Sequence, residues 1–208
     1  MLMFHPSQAI WTTQPMRYPP GKKEQNRKQL LLASGRTAKR DGFAASGVDG
    51  LMKAAGVTSG AFYSHFSSKS ALLKALIESE LLASRNMWAG NPHQTAEDWL
   101  DFELDRYLNL GHVQHPEAGC VLPPLAAEIA RADAPVRELF EAELVKGQQI
   151  LAQRLHSEEM AWAFICQLVG TILLARAIPN EATQNAVLEA SKRFLKDALA
   201  QRSPTGAE

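Results

Sequence analysis

The stretch AGVTSGAFYSHFSSKSALL, Ala55–Leu73, decides how the chain is read. Within it Gly56 and Gly60 stand beside the aromatics Phe62, Tyr63 and Phe66 and the polar residues His65 and Lys69. Gly56 ends one short helical pattern and permits a tight turn. Thr58 or Ser59 supplies the cap of the next helix, which runs to about residue 65. Phe62 and Phe66 are four apart, so one face of that helix can hold both against a core. Tyr63, His65 and Lys69 are left for the outside. Ser67 or Ser68 then caps a long helix that carries Leu72, Leu73, Leu76, Ile77 and Leu81 at helical spacing.

Upstream, a helix spans about residues 22–40, with Leu30, Leu31 and the run Ser34 to Ala38 along one side. Gly42 fits a left-handed cap at its end, and Phe43 packs back. A second helix covers about residues 48–55, with Ser46 or Gly47 as its cap. It turns Val48, Leu51 and Met52 toward a small core, and Val57 plugs the turn that follows. Two short helices about one glycine turn make a helix-turn-helix, a unit that lays its second helix in the major groove of DNA. Ser59, Gly60 and Ala61 keep the leading end of that second helix narrow enough to enter. Tyr63, His65 and Lys69 suit phosphate contacts, which fix register and release counterions.

The charge distribution points the same way. The chain has 208 residues and a formal net charge of zero. Residues 16–75 nevertheless hold eleven Lys and Arg against three Asp and Glu, whereas residues 76–208 hold eleven against nineteen. A basic front and an acidic back place a polyanion partner at the front only. Cys120 and Cys166 are the only cysteines, so no disulfide framework is expected and a reducing, cytoplasmic setting is the default. The first fifteen residues lack the basic and apolar regions of a signal peptide. Met16 offers an alternative start of translation.

These residues resemble the TetR/AcrR family of bacterial transcriptional regulators over about residues 24–82. The motifs are Gly42-Phe43 at the end of the first helix, Ala54 to Val57 in the turn, and the run Gly60, Phe62, Tyr63, His65, Phe66, Ser68, Lys69 and Leu72. The resemblance implies an all-α protein, with an N-terminal three-helix DNA-binding domain and a C-terminal helical domain for ligand binding and dimerisation. It assigns Tyr63, His65 and Lys69 to phosphates and Ser59, Ala61 and Ser64 to base edges. Ser46, Gly47, Thr58 and Gly60 complete the DNA-facing set. Many members have Lys or Arg where Ser59 stands, and serine reads bases ambiguously. Members also commonly carry Leu-Phe where Thr37-Ala38 stand here, so less apolar volume is expected in the small core.

The expected organisation is a tail over 1–21, a DNA-binding domain over 22–84 with its helix-turn-helix at 47–66, a helical domain over 85–202, and a tail over 203–208. The back half divides into helices at about 95–113, 121–132, 134–155, 158–178 and 183–201. The apolar run in 158–178 is interrupted by Gln167, Thr171 and Arg176 and lacks basic anchors, which argues against a membrane span. Ala163, Gly170 and Ala177 permit close approach of a partner there. Val187, Leu188, Ser191, Phe194, Leu195 and Ala198 give the last helix a second seam, so a homodimer is expected through 158–178 and 183–201. Candidate lining residues of a sensor pocket are Trp99, Phe102, Tyr107, Cys120, Leu122, Leu125, Phe140, Trp162 and Cys166.

The expected function is a dimeric repressor, released from a near-palindromic double-stranded operator by a small-molecule effector. Two alternatives stay open. Cys120, read as lying at a helix N-terminus that lowers its pKa, makes an electrophile- or redox-responsive repressor possible. A DNA-binding protein without a ligand is the other. No cofactor or metal is expected, since His112 and His115 match no firm zinc spacing. No catalytic motif is found, so an enzyme is not expected.

Overall fold

The computed structural model describes residues 21–201, apart from the side chains of Ser59 and Ala61. The expected tails and Met16 therefore lie outside the described residues or at their margin. Ten α-helices and no strand occur among the described residues. They are α1 (Lys22–Asp41), α2 (Val48–Ala54), α3 (Ser59–Tyr63), α4 (Lys69–Ala89) and α5 (Ala96–Tyr107). Then come α6 (Leu110–Gln114), α7 (Leu122–Ile129), α8 (Ala134–Leu155), α9 (Glu158–Ala177) and α10 (Glu181–Ala200). A single 3-10 turn, Pro116–Ala118, joins α6 to α7.

Helices α1–α3 pack around Leu30, Leu31, Ala38, Phe43, Leu51, Met52, Phe62 and Phe66, all buried. Burying a side chain the size of Phe62 contributes about 1.5–3 kcal/mol. The turn between α2 and α3 has its left-handed glycine, Gly56, at φ 69°. Gly42, the C-cap of α1, also has positive φ, 87°, with ψ 144°, a conformation open to glycine though outside the left-handed helical well. Val57, expected as a plug of this turn, is 39 % exposed, whereas Leu51 and Met52 just before it are fully buried. The caps follow side-chain chemistry. The Ser68 hydroxyl accepts from Ala71 N, whereas Gly47 and Thr58 stand at the cap positions of α2 and α3 without a capping side-chain bond.

The remaining helices share one continuous core with the front module. Helix α4 belongs to both halves: it starts at the recognition unit and packs along α8. Helix α9 lies against α8, α10 and α7. It is long and apolar enough to cross a membrane, yet it has its own buried face in this core, with Phe164, Leu168 and Ile172 inside. Salt bridges tie α10 to α5 through Lys192–Asp105 and Lys196–Asp101.

Several boundaries differ from the sequence expectation; α3 ends at Tyr63 rather than about 65, and α7 at Ile129 rather than 132. The helix expected over 95–113 breaks after Tyr107. Asn109 causes the break: its amide donates to the carbonyls of Asp105 and Arg106, and its oxygen accepts from His112 N as the cap of α6. The last helix starts at Glu181 rather than 183, because Asn180 caps it through Thr183 N.

Candidate nucleic-acid interface and effector cavity

Helix α3 is only five residues long, and the core fixes its orientation. Phe62 is fully buried and meets Phe66 at 5.8 Å between ring centroids. With that face anchored, Tyr63 points out and is 68 % exposed, beside exposed Thr58, Gly60 and Ser64. Gly47 is exposed at the start of α2. Ser46 is half-buried, and its hydroxyl donates to Gly42 O at 2.8 Å, so it braces the turn instead of capping α2. Ser59 and Ala61 lie on the same short helix, with their side chains outside the described part.

His65 and Lys69 are less free than Tyr63. The His65 ring is half-buried, and its Nδ1 is buried without a hydrogen-bond partner. Burial, helped by the charges of Lys23 and Arg27, holds its pKa below the usual histidine value. The Lys69 ammonium donates to Ala44 O at 3.2 Å and sits 4.9 Å from the Phe43 ring centroid. It thus ties the start of α4 to the turn before α2. Lys23, Arg27, Ser64 and His65 border one shallow surface depression, so the basic residues of α1 gather beside the end of α3.

The second feature is a cavity of about 390 Å³ between α4, α8 and α9, closed by the segment from α5 to α7. Much of its wall is apolar, from Leu81, Trp88, Leu144, Ile165, Leu168 and Val169. One wall is polar and tightly interlinked. The Lys39 ammonium, from α1, donates to both Glu80 oxygens at 3.1 and 3.0 Å and to Gly119 O at 3.0 Å. The His112 ring bridges the next two residues. Its Nδ1 lies 2.8 Å from Tyr107 O and its Nε2 2.9 Å from Cys120 N. A carbonyl only accepts and an amide only donates, so Nδ1 carries the proton and Nε2 does not. Burial also lowers the His112 pKa, in keeping with a neutral ring.

Gly119 is required here by proximity, not by its dihedral angles. A Cβ on it would stand 2.3 Å from His112 Cδ2 and 3.0 Å from Arg176 Nη2. Arg176 donates from Nη2 to His112 O at 2.8 Å, while its Nε and Nη1 are buried without partners. The Tyr107 hydroxyl is also buried without a formed hydrogen bond, although it lies within electrostatic reach of the Cys120 thiol. Glu128, on α7, accepts from Phe43 N at 3.1 Å and Ala44 N at 2.6 Å. The front module is thereby fastened to the back half at Lys39 and Glu128, and the Ser70 hydroxyl adds a bond to Asp133 Oδ2 at 2.9 Å.

Three of the nine residues expected to line a pocket, Tyr107, Cys120 and Leu122, stand on this wall. Trp99 and Leu125 are 1 % exposed and fill solid core. Phe102, at 37 % exposed, faces outward between His93 and Arg106. Phe140 packs half-buried against the core away from the cavity, and Trp162 and Cys166 are exposed on the outer face of α9. The Cys120 correction is chemical. Its sulfur accepts from Leu122 N at 3.4 Å, as a residue before a helix start can. Desolvation nonetheless outweighs that bond and pushes the thiol pKa up, not down. Lys39, Glu80, Trp88, His112 and Gly119 went unassigned in the sequence. Lys39 alone had a readable signal, a cation four residues after Gly35 on the buried stripe of α1.

Comparison with known proteins agrees with this geometry. Residues 30–76 match the family model for bacterial regulatory proteins of the tetR family. No curated protein sequence matches the chain. Among solved structures, the reduced form of NemR from E. coli is similar with a TM-score of 0.70 and 21 % identity, covering 83 % of this chain and 96 % of that one. A TetR-family regulator from Cytophaga hutchinsonii gives 0.72 and 18 %, covering 88 % and 98 %. FadR from Bacillus subtilis, in complex with stearoyl-CoA, gives 0.65 and 16 %, covering 83 % and 96 %.

Proposed function

Since the chain carries the DNA-binding domain of the TetR family and is a DNA-binding regulator of transcription, we propose that it acts as a dimeric repressor released from its operator by a small molecule. The observation that carries this reading is the position of Lys39, a residue of the DNA-binding module that lines the cavity of the back half. The reading unit is 22–84 and the sensing and dimerising unit 85–202. Tyr63, with Thr58, Gly60 and Ser64 beside it, meets the duplex; Lys69 and His65 lie behind as phosphate contacts. By the family resemblance Ser59 and Ala61 are the base contacts, and Ser46 and Gly47 approach the backbone from the start of α2.

Dimerisation through α9 and α10 is supported by an unburied apolar stripe. Trp162, Leu173, Leu174 and Phe194 are between 39 % and 63 % exposed, with Ala163 and Ala177 exposed near them. A dimer would set two recognition helices about 34–36 Å apart for successive major grooves. Ligand acts by its differential affinity for the DNA-competent and released states. The cavity favours this reading over a ligand-independent DNA-binding protein.

The test is selection of a binding site from random duplexes, followed by gel shift at two salt concentrations. A near-palindromic site whose affinity falls steeply with salt is expected. Binding without sequence preference would sink the proposal. The electrophile reading keeps one supporting observation, the place of Cys120 on the cavity wall. Mass spectrometry after N-ethylmaleimide treatment decides it: an unmodified Cys120 with unchanged DNA affinity removes it.

A further inference from the structure

The cavity wall has a charge pattern that selects a ligand class, an inference that rests on the effector reading above. The lining residues include three cations, Lys39, Arg85 and Arg106, and two carboxylates, Glu80 and Glu143. These charges are paired: Glu80 holds Lys39, Glu143 holds Arg85 and Lys146, and Arg106 is held by Glu103 behind the wall. Arg176 adds a further cation in contact with two lining residues, His112 and Gly119. No carboxylate lies within salt-bridge distance of it among the described residues, and two of its nitrogens, Nε and Nη1, have no acceptor. The Tyr107 hydroxyl beside it is buried, with only the Cys120 thiol near enough to interact and no oxygen or nitrogen acceptor. Unmatched buried donors are costly, and a cluster of them beside a cavity marks where an acceptor belongs. Trp88, Leu144, Ile165 and Leu168 give the wall its apolar part.

We propose that the cavity takes an amphipathic organic monoanion, a carboxylate on an apolar body, with the carboxylate received by Tyr107 and Lys39 in the field of Arg176. The apolar body lies against Trp88 and the leucines. All three Lys39 protons are already in use, on Glu80 and on Gly119 O. An arriving carboxylate therefore competes for the bond to Gly119 O, which ties the front module to the back half. Ligand binding and loosening of that fastening become one event, which gives the ligand its differential affinity for the two states.

The experiment uses the full chain and isothermal titration with octanoate and 3-phenylpropanoate, each compared with its matching alcohol and amine. At least one carboxylate is expected to bind about tenfold or more tighter than its alcohol, and the amines not at all. Tyr107→Phe should weaken the carboxylate about tenfold while leaving the alcohol unchanged. Arg176→Met should do the same, and if it fails to fold Tyr107→Phe still decides. Alcohols or amines that bind as well as the carboxylates, or no carboxylate binding at all, would overturn the proposal. So would carboxylate affinity unmoved by Tyr107→Phe. Gel shifts run in parallel separate the two readings. Carboxylate binding by a chain that never selects DNA keeps this inference and loses the regulator's proposed mechanism. Selective DNA binding by a chain that ignores both carboxylates does the reverse.

Discussion

His65, behind the recognition helix, and His112, in the cavity wall, are the same residue in two different states of commitment. Burial holds both pKa values down. His112 spends both ring nitrogens on backbone groups, joining Tyr107 to Cys120. His65 has one nitrogen buried with no partner. The first is a structural rivet of the wall. The second is held neutral in the free protein and gains its main partner, a phosphate, only in the complex proposed above. A depressed pKa alone does not tell the two apart; the hydrogen-bond partners do.

The largest test of that contrast is truncation of each ring. His112→Ala should cost about 2–4 kcal/mol, because it strands a buried N–H and a buried carbonyl. His65→Ala should cost well under half as much, by urea denaturation of the two variants side by side. Equal losses would break the comparison. Gly119→Ala comes next, at about 1–3 kcal/mol, since the added carbon meets a ring that two hydrogen bonds hold in place. The same substitution at exposed Gly60, whose added carbon meets nothing closer than 3.8 Å, should leave stability within about 0.5 kcal/mol.

On the DNA side, Lys69→Ala should weaken all duplexes alike by about tenfold and lower the salt slope by about one. Tyr63→Phe should have a smaller effect in the same assay. An unchanged salt slope would return Lys69 to its role as a tie to Ala44 O. The smallest effect is on pH. A phosphate raises the His65 pKa from its depressed value, so the complex binds a proton that the free protein does not. DNA affinity should rise a few-fold as pH falls from 8 to about 6, and His65→Gln should flatten the curve. The sign reverses for folding. His112 has a lower pKa folded than unfolded, so its contribution is present above about pH 6.5 and is lost as pH falls through the folded value. Acid should therefore tighten DNA binding while it weakens the fold.

The front module was legible because its signals are local. Phe62 and Phe66 four apart, Gly56 at the turn and Ser68 at a cap each act within one helical turn, and each has a single structural solution. Val57 misled because apolar character does not say which side of a turn a residue faces. The cavity was mostly illegible. Trp99 and Trp88 are the same residue type, yet one fills core and the other lines a void, and no local pattern separates them. The polar wall depends on contacts between distant residues, with Lys39 reaching Gly119 across 80 positions. Asn109, by contrast, carried a readable helix-breaking signal, an asparagine before a leucine-glycine pair, that helical periodicity masked.

Lys39 and Glu128 have a further consequence, for how the protein comes apart. A helix-turn-helix on a flexible tether would melt by itself, ahead of the body it serves. Here one of the three bonds of a buried ammonium, and a pair of backbone N–H groups of the small module, depend on the large one. Helix α4 runs through both. Melting the reader alone would strand those groups, so the two halves should unfold in one calorimetric transition. A segment cut at residue 84 should be far less stable than its own core would suggest.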